Sequence, residues 1–327
     1  DMVILAIGVR PDSSLAKDAG VALGAAGSIL VNDRMETSLP DIYAVGDAVQ
    51  IRHQVSGKDV RIALAGPANK QGRIAADNIC GGDSHYAGAQ GSSIIKLFDM
   101  TAAVTGLNEK AAADAGIDYD KVYLSPSSHA SYYPGAKTMT MKILFERNTL
   151  RLLGAQIVGF DGVDKRIDVL AAAIYAGLSA RDLTELDLAY APPYASAKDP
   201  VNLAGYLIEN LADGRVRQIS WEQINSLPQD GSTLLLDVRT PEEYKKGHLE
   251  GFQNIPLDEL RDRLSTLNPE KPAILLCQSG LRSYLGCRIL AQHGFSCSHV
   301  AGGYLLCQSV FSDREPAARH LPCGKEV

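Results

Sequence analysis

The sequence predicts an α/β fold built in three successive segments, the last of them doubly wound. Three observations carry the prediction. Beyond residue 232, short apolar runs alternate with stretches of helical period, as in "TLLLDVR", "PEEYKKG", "PAILLCQ" and "SYLGCRILAQHG"; strands alternating with helices imply a parallel sheet covered on both faces. Between residues 93 and 213 strands are punctuated by helices without strict alternation, the pattern of an α+β domain. At 327 residues, with 46% apolar and 21% charged positions, the chain is long enough for two or three cores of ordinary composition.

The front segment, 1–92, reads as a strand "MVILAIG", a strand-and-loop stretch "ILVNDRMETSLPDIYAVGDAV" and a helix "GPANKQGRIAADNICGG" that Gly81 and Gly82 end. The middle segment, 93–213, gives strand text in "SIIKLFDMTAAVTGL", a helix "NEKAAADAG", strands "TMTMKILFE" and "RLLGAQIVG", and a long helix "KRIDVLAAAIYAGL". The polar, glycine-containing stretch "ADGRVRQIS" is linker chemistry, and the last segment runs 214–327. It opens with a short amphipathic helix "WEQINSL". Then come strand "TLLLDVR", helix "PEEYKKG", strand "FQNIP", helix "LDELRDRLSTL", strand "PAILLCQ", helix "SYLGCRILAQHG", strand "CSHVAGG" and helix "YLLCQSV".

A net charge of -6 and the lack of a basic stripe with interleaved aromatics argue against a nucleic-acid partner. The longest apolar stretch, "VLAAAIYAGL" at 169–178, is about half of the roughly 20 residues a membrane-spanning helix requires. No signal-peptide pattern opens the chain, so the expectation is a cytoplasmic protein without a membrane partner. Cysteines stand at 80, 277, 287, 297, 307 and 323, none in a Cys-x-x-Cys pair. Reduced thiols and no metal site are expected.

The chemistry concentrates in "LCQSGLRS", residues 276–283. Cys277 follows a strand and precedes a helix, which places it at the carboxyl end of the sheet, where doubly wound folds put their ligands. The loop from Cys277 to Ser283 can curl so that several backbone N–H groups converge on the sulfur. The helix N-terminus and Arg282 add positive charge, and all three effects lower a thiol pKa from its free value of about 8.5. The alternative at this level is a cysteine buried as a small hydrophobe.

The flanking text decides between these. The segment "LLLDVRTPEEYKKGHLEGFQNIPLDEL", followed by "LLCQSGLRS" and "HVAGGY", closely resembles a single-domain rhodanese, a sulfurtransferase that carries sulfur as a cysteine persulfide, over residues 217–315. The resemblance implies that Asp237, Arg239, Gly247, His248 and Gly251 frame the sheet. It also implies that the loop of Cys277, Gln278, Ser279, Gly280 and Arg282 is the active site. Cys277 to Arg282 spans six residues inclusive, one fewer than in related phosphatases, which favours sulfur over phosphate. Phe252 stands where the family usually has alanine, and Cys307 near where an aromatic usually follows the Gly-Gly turn. His248 is expected to stabilise the turn.

In the front segment, "TSLPDIYAVGDAV" reads as a strand whose end carries Gly46 and Asp47, and a carboxylate there can accept hydrogen bonds from nucleotide hydroxyls. An Asp in such a turn is otherwise ordinary turn chemistry. With "VILAIGVRPDSSL" before it and "LAGPANKQGRIAADNICG" after it, the stretch resembles the second half of the FAD domain of the pyridine nucleotide-disulfide oxidoreductases. The resemblance implies a remnant of an FAD/NAD-binding Rossmann-like domain in which Gly46, Asp47, Ala48 and Pro67 bind the cofactor, with Asp47 as ligand of the flavin ribityl chain. The helix at Gly66-Pro67 would point its positive end at the flavin ring. The middle segment resembles the dimerisation domain of that family. Its "ELDLAYAPPYASAKDPVNLAGY" lacks the histidine of the glutathione and lipoamide reductase branch and resembles the coenzyme A-disulfide reductase and NADH oxidase branch, as does "SHASYYPGA". A homodimer follows, with Tyr133 and Tyr194 as first candidates for placing a thiol substrate, and Tyr132 and Tyr190 as second.

A flavin branch fused to a carboxyl-terminal rhodanese resembles the coenzyme A-disulfide and persulfide reductases with a rhodanese domain. That family implies FAD, with NADH or NADPH as co-substrate, and a disulfide, persulfide or polysulfide as acceptor. Its dinucleotide fingerprint and redox cysteine find no counterpart here, because "GVALGAAG" has the wrong spacing. Residue 1 is therefore expected to lie at the end of an NAD domain, with well over a hundred residues upstream. Rival readings are a sulfurtransferase with the flavin remnant as a dimerising scaffold, an NADH oxidase, and a non-catalytic sulfur-binding module.

Overall fold

The computed structural model describes residues 2–311. In the front segment α1 (Ser14–Asp18) precedes β1 (Ile29–Leu30), β2 (Val49–Arg52), β3 (Asp59–Val60) and α2 (Ala65–Ile79). β1 runs parallel to β2, and β3 antiparallel to it. Met35, Val49, Ile51, Ala75 and Tyr86 form a small core. Two expected strands do not form. "MVILAIG" has no regular secondary structure and Val3 is 93% exposed; residues 37–45 contribute a single bridge partner, Tyr43, which meets Glu36. A strand satisfies its backbone only by pairing, and no described strand pairs with either stretch. Gly46 and Asp47 consequently sit in a tight turn, Gly46–Ala48, ahead of β2 and not at the end of a strand.

The middle segment is an antiparallel sheet with helices on it. Its elements are β4 (Ser93–Leu97), β5 (Met100–Gly106), α3 (Glu109–Asp114), β6 (Tyr119–Leu124), β7 (Thr140–Glu146), β8 (Leu152–Gly159), α4 (Val163–Tyr175), α5 (Ala180–Glu185) and α6 (Pro200–Ala212). Strand order is β4-β5-β8-β7-β6. Alternate residues of β7 and β8 pack with Ile167 and Leu170 of α4, Leu183 of α5 and Ile208 of α6, the two-layer arrangement an α+β domain needs. Buried Asp199 ties the helices together. It accepts the Val201 N–H at 3.0 Å, capping α6, and Arg166 Nη2 of α4 at 3.0 Å.

The last segment holds β9 (Gln218–Ile219), β10 (Leu234–Asp237), α7 (Pro241–Lys246), β11 (Gln253–Asn254), β12 (Ala273–Leu276), α8 (Leu281–Gln292), β13 (Cys297–Val300) and α9 (Gly303–Phe311). All pairings in the order β11-β10-β12-β13-β9 are parallel, as the alternation of strand and helix predicts. Leu236 and Leu275 join one core with Cys287 and Leu290 of α8, while Leu235 and Leu276 join the opposite core with Cys307 of α9. The sheet is thus covered on both faces. Phe252 and Cys307, the large and the small departure from the family pattern, share that second core.

Two predicted helices of this segment are 3₁₀ turns. "LDELRDRLSTL" folds as Leu257–Glu259 and Leu264–Thr266, and "WEQINSL" as Trp221–Ser226. Leu257/Leu260 and Leu264/Leu267 are spaced by three, the period at which a 3₁₀ turn stacks side chains, and all four pack into the α8-side core.

Residues of both domains fix the junction between the middle and last segments. Lys121 of β6 donates to Glu109 at 2.7 Å and to Glu222 at 3.2 Å, while Gln218 of β9 donates to the Lys121 carbonyl. Although burial opposes it, these carboxylates hold the Lys121 ammonium firmly protonated.

Candidate active site

β12 ends in buried apolar residues and the chain then turns sharply, because Gly280 adopts φ +103° and opens α8. That left-handed conformation suits glycine and aims the Gly280 N–H at Cys277 Sγ, 3.1 Å away. Ser283 Oγ donates to the Gly280 carbonyl at 2.9 Å and stiffens the turn. The sulfur thus sits at the bottom of the loop, with Cys277 fully buried.

The Gly-Gly turn after β13 locks the loop from outside. Tyr304 N–H donates to the Cys277 carbonyl at 2.8 Å and Leu305 N–H to the Gln278 carbonyl at 3.0 Å. These first-turn amides of α9 would otherwise lack partners, so the loop caps the helix while the helix holds the loop. A Cβ on Gly303, φ +65°, would stand 2.6 Å from the Cys277 carbonyl oxygen, which is why the motif needs glycine there.

A buried charge network supports the same loop. Asp237, at the end of β10, accepts from Arg239 N, Nε and Nη2 at 2.7–3.0 Å. The guanidinium lies 4.1 Å over the Tyr304 ring, and its Nη1 donates to Gln278 Oε1 at 3.1 Å. Asp237 and Arg239 thus stand at the end of β10 beside the loop, and Gln278 is held by its side chain as well as its carbonyl. Ser279 is half-buried.

Arg282 is where the sequence reading needs refinement. Its guanidinium makes a bidentate pair with Glu243 of α7, at 2.6 and 2.7 Å. That pair, with the Thr240 amide, holds the Glu243 carboxyl down at about 2. Part of the charge expected at Cys277 is thus shared with Glu243, which sequence reasoning did not single out. The available signal was "TPEEY": Thr240 and Glu243 form a capping box, which fixes Glu243 at the start of α7, facing the loop. His248 stacks on Tyr244 at 4.0 Å and bonds its carbonyl, the turn-stabilising role expected of it.

In the front segment Gly46, φ +82°, donates its N–H to Gln71 Oε1 of α2 at 2.6 Å. This draws the Gly46–Ala48 turn against the helix. Asp47 is exposed, and its carboxylate has no hydrogen-bond or ion-pair partner among the described residues. The N-terminus of α2, with Gly66 and Pro67, carries no side-chain cap, and a Cβ on Gly66 would meet nothing within 4 Å. An unspent carboxylate beside uncapped helix amides is a donor set that fits a flavin: hydroxyls of a polyol chain for Asp47, an electron-rich ring for the helix end.

The four tyrosines lie on two loops joined by the Ala130 N–H to Ala195 carbonyl bond, 3.0 Å. Tyr132 and Tyr190 hydroxyls meet at 3.1 Å, Tyr133 packs edge-on to His129 at 5.8 Å, and Tyr194 is 72% exposed. No helix is long and apolar enough to cross a membrane, and no cluster suited to a metal ion occurs among the described residues. Cys323 lies outside the described residues.

Three family models match the chain in succession: the pyridine nucleotide-disulphide oxidoreductase model over residues 1–72, the dimerisation-domain model of the same family over 92–200, and the rhodanese-like domain over 220–308. The NAD(P)H coenzyme A polysulfide/persulfide reductase of Pyrococcus horikoshii is 40% identical over 201 residues, which are 62% of this chain and 45% of that protein. Among solved structures, reduced CoADR-RHD of Bacillus anthracis superposes with a TM-score of 0.91 at 48% identity, over 96% of this chain and 56% of that one. A NAD-dependent persulfide reductase from A. fulgidus gives 0.84 at 40% identity, over 90% and 53%. The chain spans about half the length of the proteins it matches.

Proposed function

Because the chain belongs to the pyridine nucleotide-disulphide oxidoreductases that carry a rhodanese-like domain, we propose that it serves FAD-dependent reduction of a coenzyme A disulfide, persulfide or polysulfide by NAD(P)H. In this reading its last domain carries sulfane sulfur on Cys277. The observation that carries the second half is the locked loop: a buried sulfur receiving the Gly280 N–H, with Arg282 beside it. The Cys277 thiolate attacks the outer sulfur of a donor R–S–SH. The donor's S–S bond breaks, RS⁻ leaves, and Cys277–S–SH forms. Loop amides and Arg282 stabilise the negative charge on the transferred sulfur.

Asp47, Gly46, Ala48 and Pro67 would hold the flavin, which when bound passes reducing equivalents from the nicotinamide to the sulfur compound. Tyr132, Tyr133, Tyr190 and Tyr194 would position the thiol partner. A homodimer formed through the middle domain is supported by its edge hairpin, where Ile94, Ile95, Leu97 and Phe98 are all more than half exposed, an apolar face that calls for a partner. Sulfane-sulfur loading from a persulfide donor tests the nucleophile. Cys277→Ala is expected to load none, and a variant that still loads would overturn the assignment.

A second reading, sulfur transfer alone on a dimerising scaffold, is favoured by the support of the Cys277 loop, which comes from residues of the last segment. Flavin absorbance of the purified chain separates the two, since a yellow protein excludes the second.

A further inference from the structure

Between the middle and last domains lies a cavity of about 410 Å³ whose walls include Ser125, Lys198 and Leu203 on one side and Ser279, Tyr284 and His299 on the other. Cys277, Arg282 and the four tyrosines of the loops are not among its walls.

Two buried polar groups without hydrogen-bond partners among the described residues line it. His299 is 2% exposed, and neither ring nitrogen has a hydrogen bond among the described residues; Ser125 Oγ is likewise buried and unbonded. The register of β13 explains the histidine. His299 pairs with Leu275, so its ring faces α8, where it touches Tyr284 edge-on at 6.4 Å. A buried polar group left unpaired costs about 1–3 kcal/mol, and native proteins rarely leave one so without a reason. Here one orphan comes from each domain and both line the same space.

The remaining wall chemistry gives the charge and shape of an occupant. Lys198 is exposed and has no carboxylate partner among the described residues, since the neighbouring Asp199 is engaged by Arg166 and Lys165. No Asp or Glu lines the cavity, whereas Leu124, Leu203, Leu207 and Leu281 give it an apolar wall. Burial pushes the His299 imidazole down to about 4, so near neutral pH the ring is uncharged, with one nitrogen donating and one accepting. Lys198 is thus the single full charge, which matches a monoanion and leaves a dianion half-compensated. The volume lies within the roughly 300–1,000 Å³ of small-molecule sites.

We propose that this interdomain cavity binds a small monoanionic organic molecule with an apolar body, its charged end held by Lys198 and its polar atoms satisfying His299 and Ser125. The cavity borders the sulfur-carrying loop through Ser279, Gly280 and Leu281 but does not include Cys277 or Arg282, and the proposal does not depend on the sulfur chemistry given to that loop.

Hexanoate and its uncharged isostere hexanamide are the probes, titrated calorimetrically into the full chain, with the His299 ring nitrogens followed by NMR. Hexanoate is expected to bind at least about tenfold more tightly than hexanamide, since a hydrogen-bonded charge contributes that much. Lys198→Gln, a change at an exposed position, should abolish that preference, and the His299 resonances should shift in the wild-type chain on hexanoate binding. Ser125→Ala should weaken hexanoate by about threefold or more. Equal binding of the two probes, no binding of either, unchanged hexanoate affinity in Lys198→Gln, or unmoved His299 resonances would each overturn the proposal.

Discussion

The first and last segments both place candidate residues at a turn next to a helix N-terminus, yet only the last one immobilises them. Around Cys277 the supporting groups are paired with one another: Asp237 with Arg239, Arg239 with Gln278, the Cys277 and Gln278 carbonyls with α9. Around Asp47 the carboxylate is exposed and the α2 amides are uncapped. The loop proposed to hold one sulfur atom has its supports within its own domain. In the proposed reading, the front segment leaves groups that only a large flexible ligand would satisfy.

The largest stability effect should come from breaking the closed side. Asp237→Asn leaves the Arg239 guanidinium buried without its counter-charge, and losing one member of such a pair costs about 3–5 kcal/mol. Urea unfolding of the last domain is expected to show that loss together with diminished sulfur loading. A variant of unchanged stability would mean that the network is ornamental.

Gly303→Ala tests the lock itself. The added methyl meets the Cys277 carbonyl and the residue must keep φ +65°, a strain of about 1–3 kcal/mol. Displacing the loop by a fraction of an ångström is expected to reduce the rate of sulfur loading by about tenfold or more, measured as persulfide formed per chain at a fixed donor concentration. Normal loading would show that the outer clamp does not hold the sulfur in place.

The difference between the segments also governs how much of each was legible in the sequence. Cys277, Gly280 and the Gly302-Gly303 turn could be found because they stand in a contiguous run that resembles a known family, and the positive φ of the three glycines gives the physical reason for that residue type. Glu243 and His299 were missed because their importance arises from what faces them across space: Arg282 in one case, an empty space shared with another domain in the other. In "CSHVAGG" only the alternation of strand faces hints that residue 299 points with Cys297 toward α8. The apolar runs at 3–7 and 42–45 read as strands because the pattern reports burial on pairing, and pairing requires a neighbour that the described residues do not supply.

Acid titration distinguishes the ion pair beside the loop from the buried one. The Glu243 carboxyl is lowered from 4.5 to about 2, chiefly by its hydrogen bonds from Arg282. A depressed carboxylate contributes stability that is fully present above its unfolded value and disappears as pH falls from about 4.5 towards 2. Since both partners are about one-third exposed, the contribution should not exceed about 1 kcal/mol. Glu243→Gln should therefore be slightly less stable than wild type at pH 7 and converge with it near pH 2. If the two curves keep a constant separation down to pH 2, the pair does not account for the difference.

Asp47→Ala should have the smallest effect on the fold. The side chain is exposed and bonded to nothing in the described residues, so chemical unfolding should differ from wild type by no more than about 0.5 kcal/mol. Sulfur loading on Cys277 should be unchanged, because among the described residues no hydrogen bond runs from the Gly46–Ala48 turn to the last domain. If the carboxylate serves the ribityl hydroxyls, the one property to change is retention of added FAD, read as flavin absorbance after gel filtration and weakened by about tenfold for a lost charged hydrogen bond. Unaltered retention in a wild type that binds FAD would remove Asp47 from the site. A loss of stability instead would show that the front segment spends its polar groups internally, as the last one does, and the distinction between an open and a closed cradle would fail.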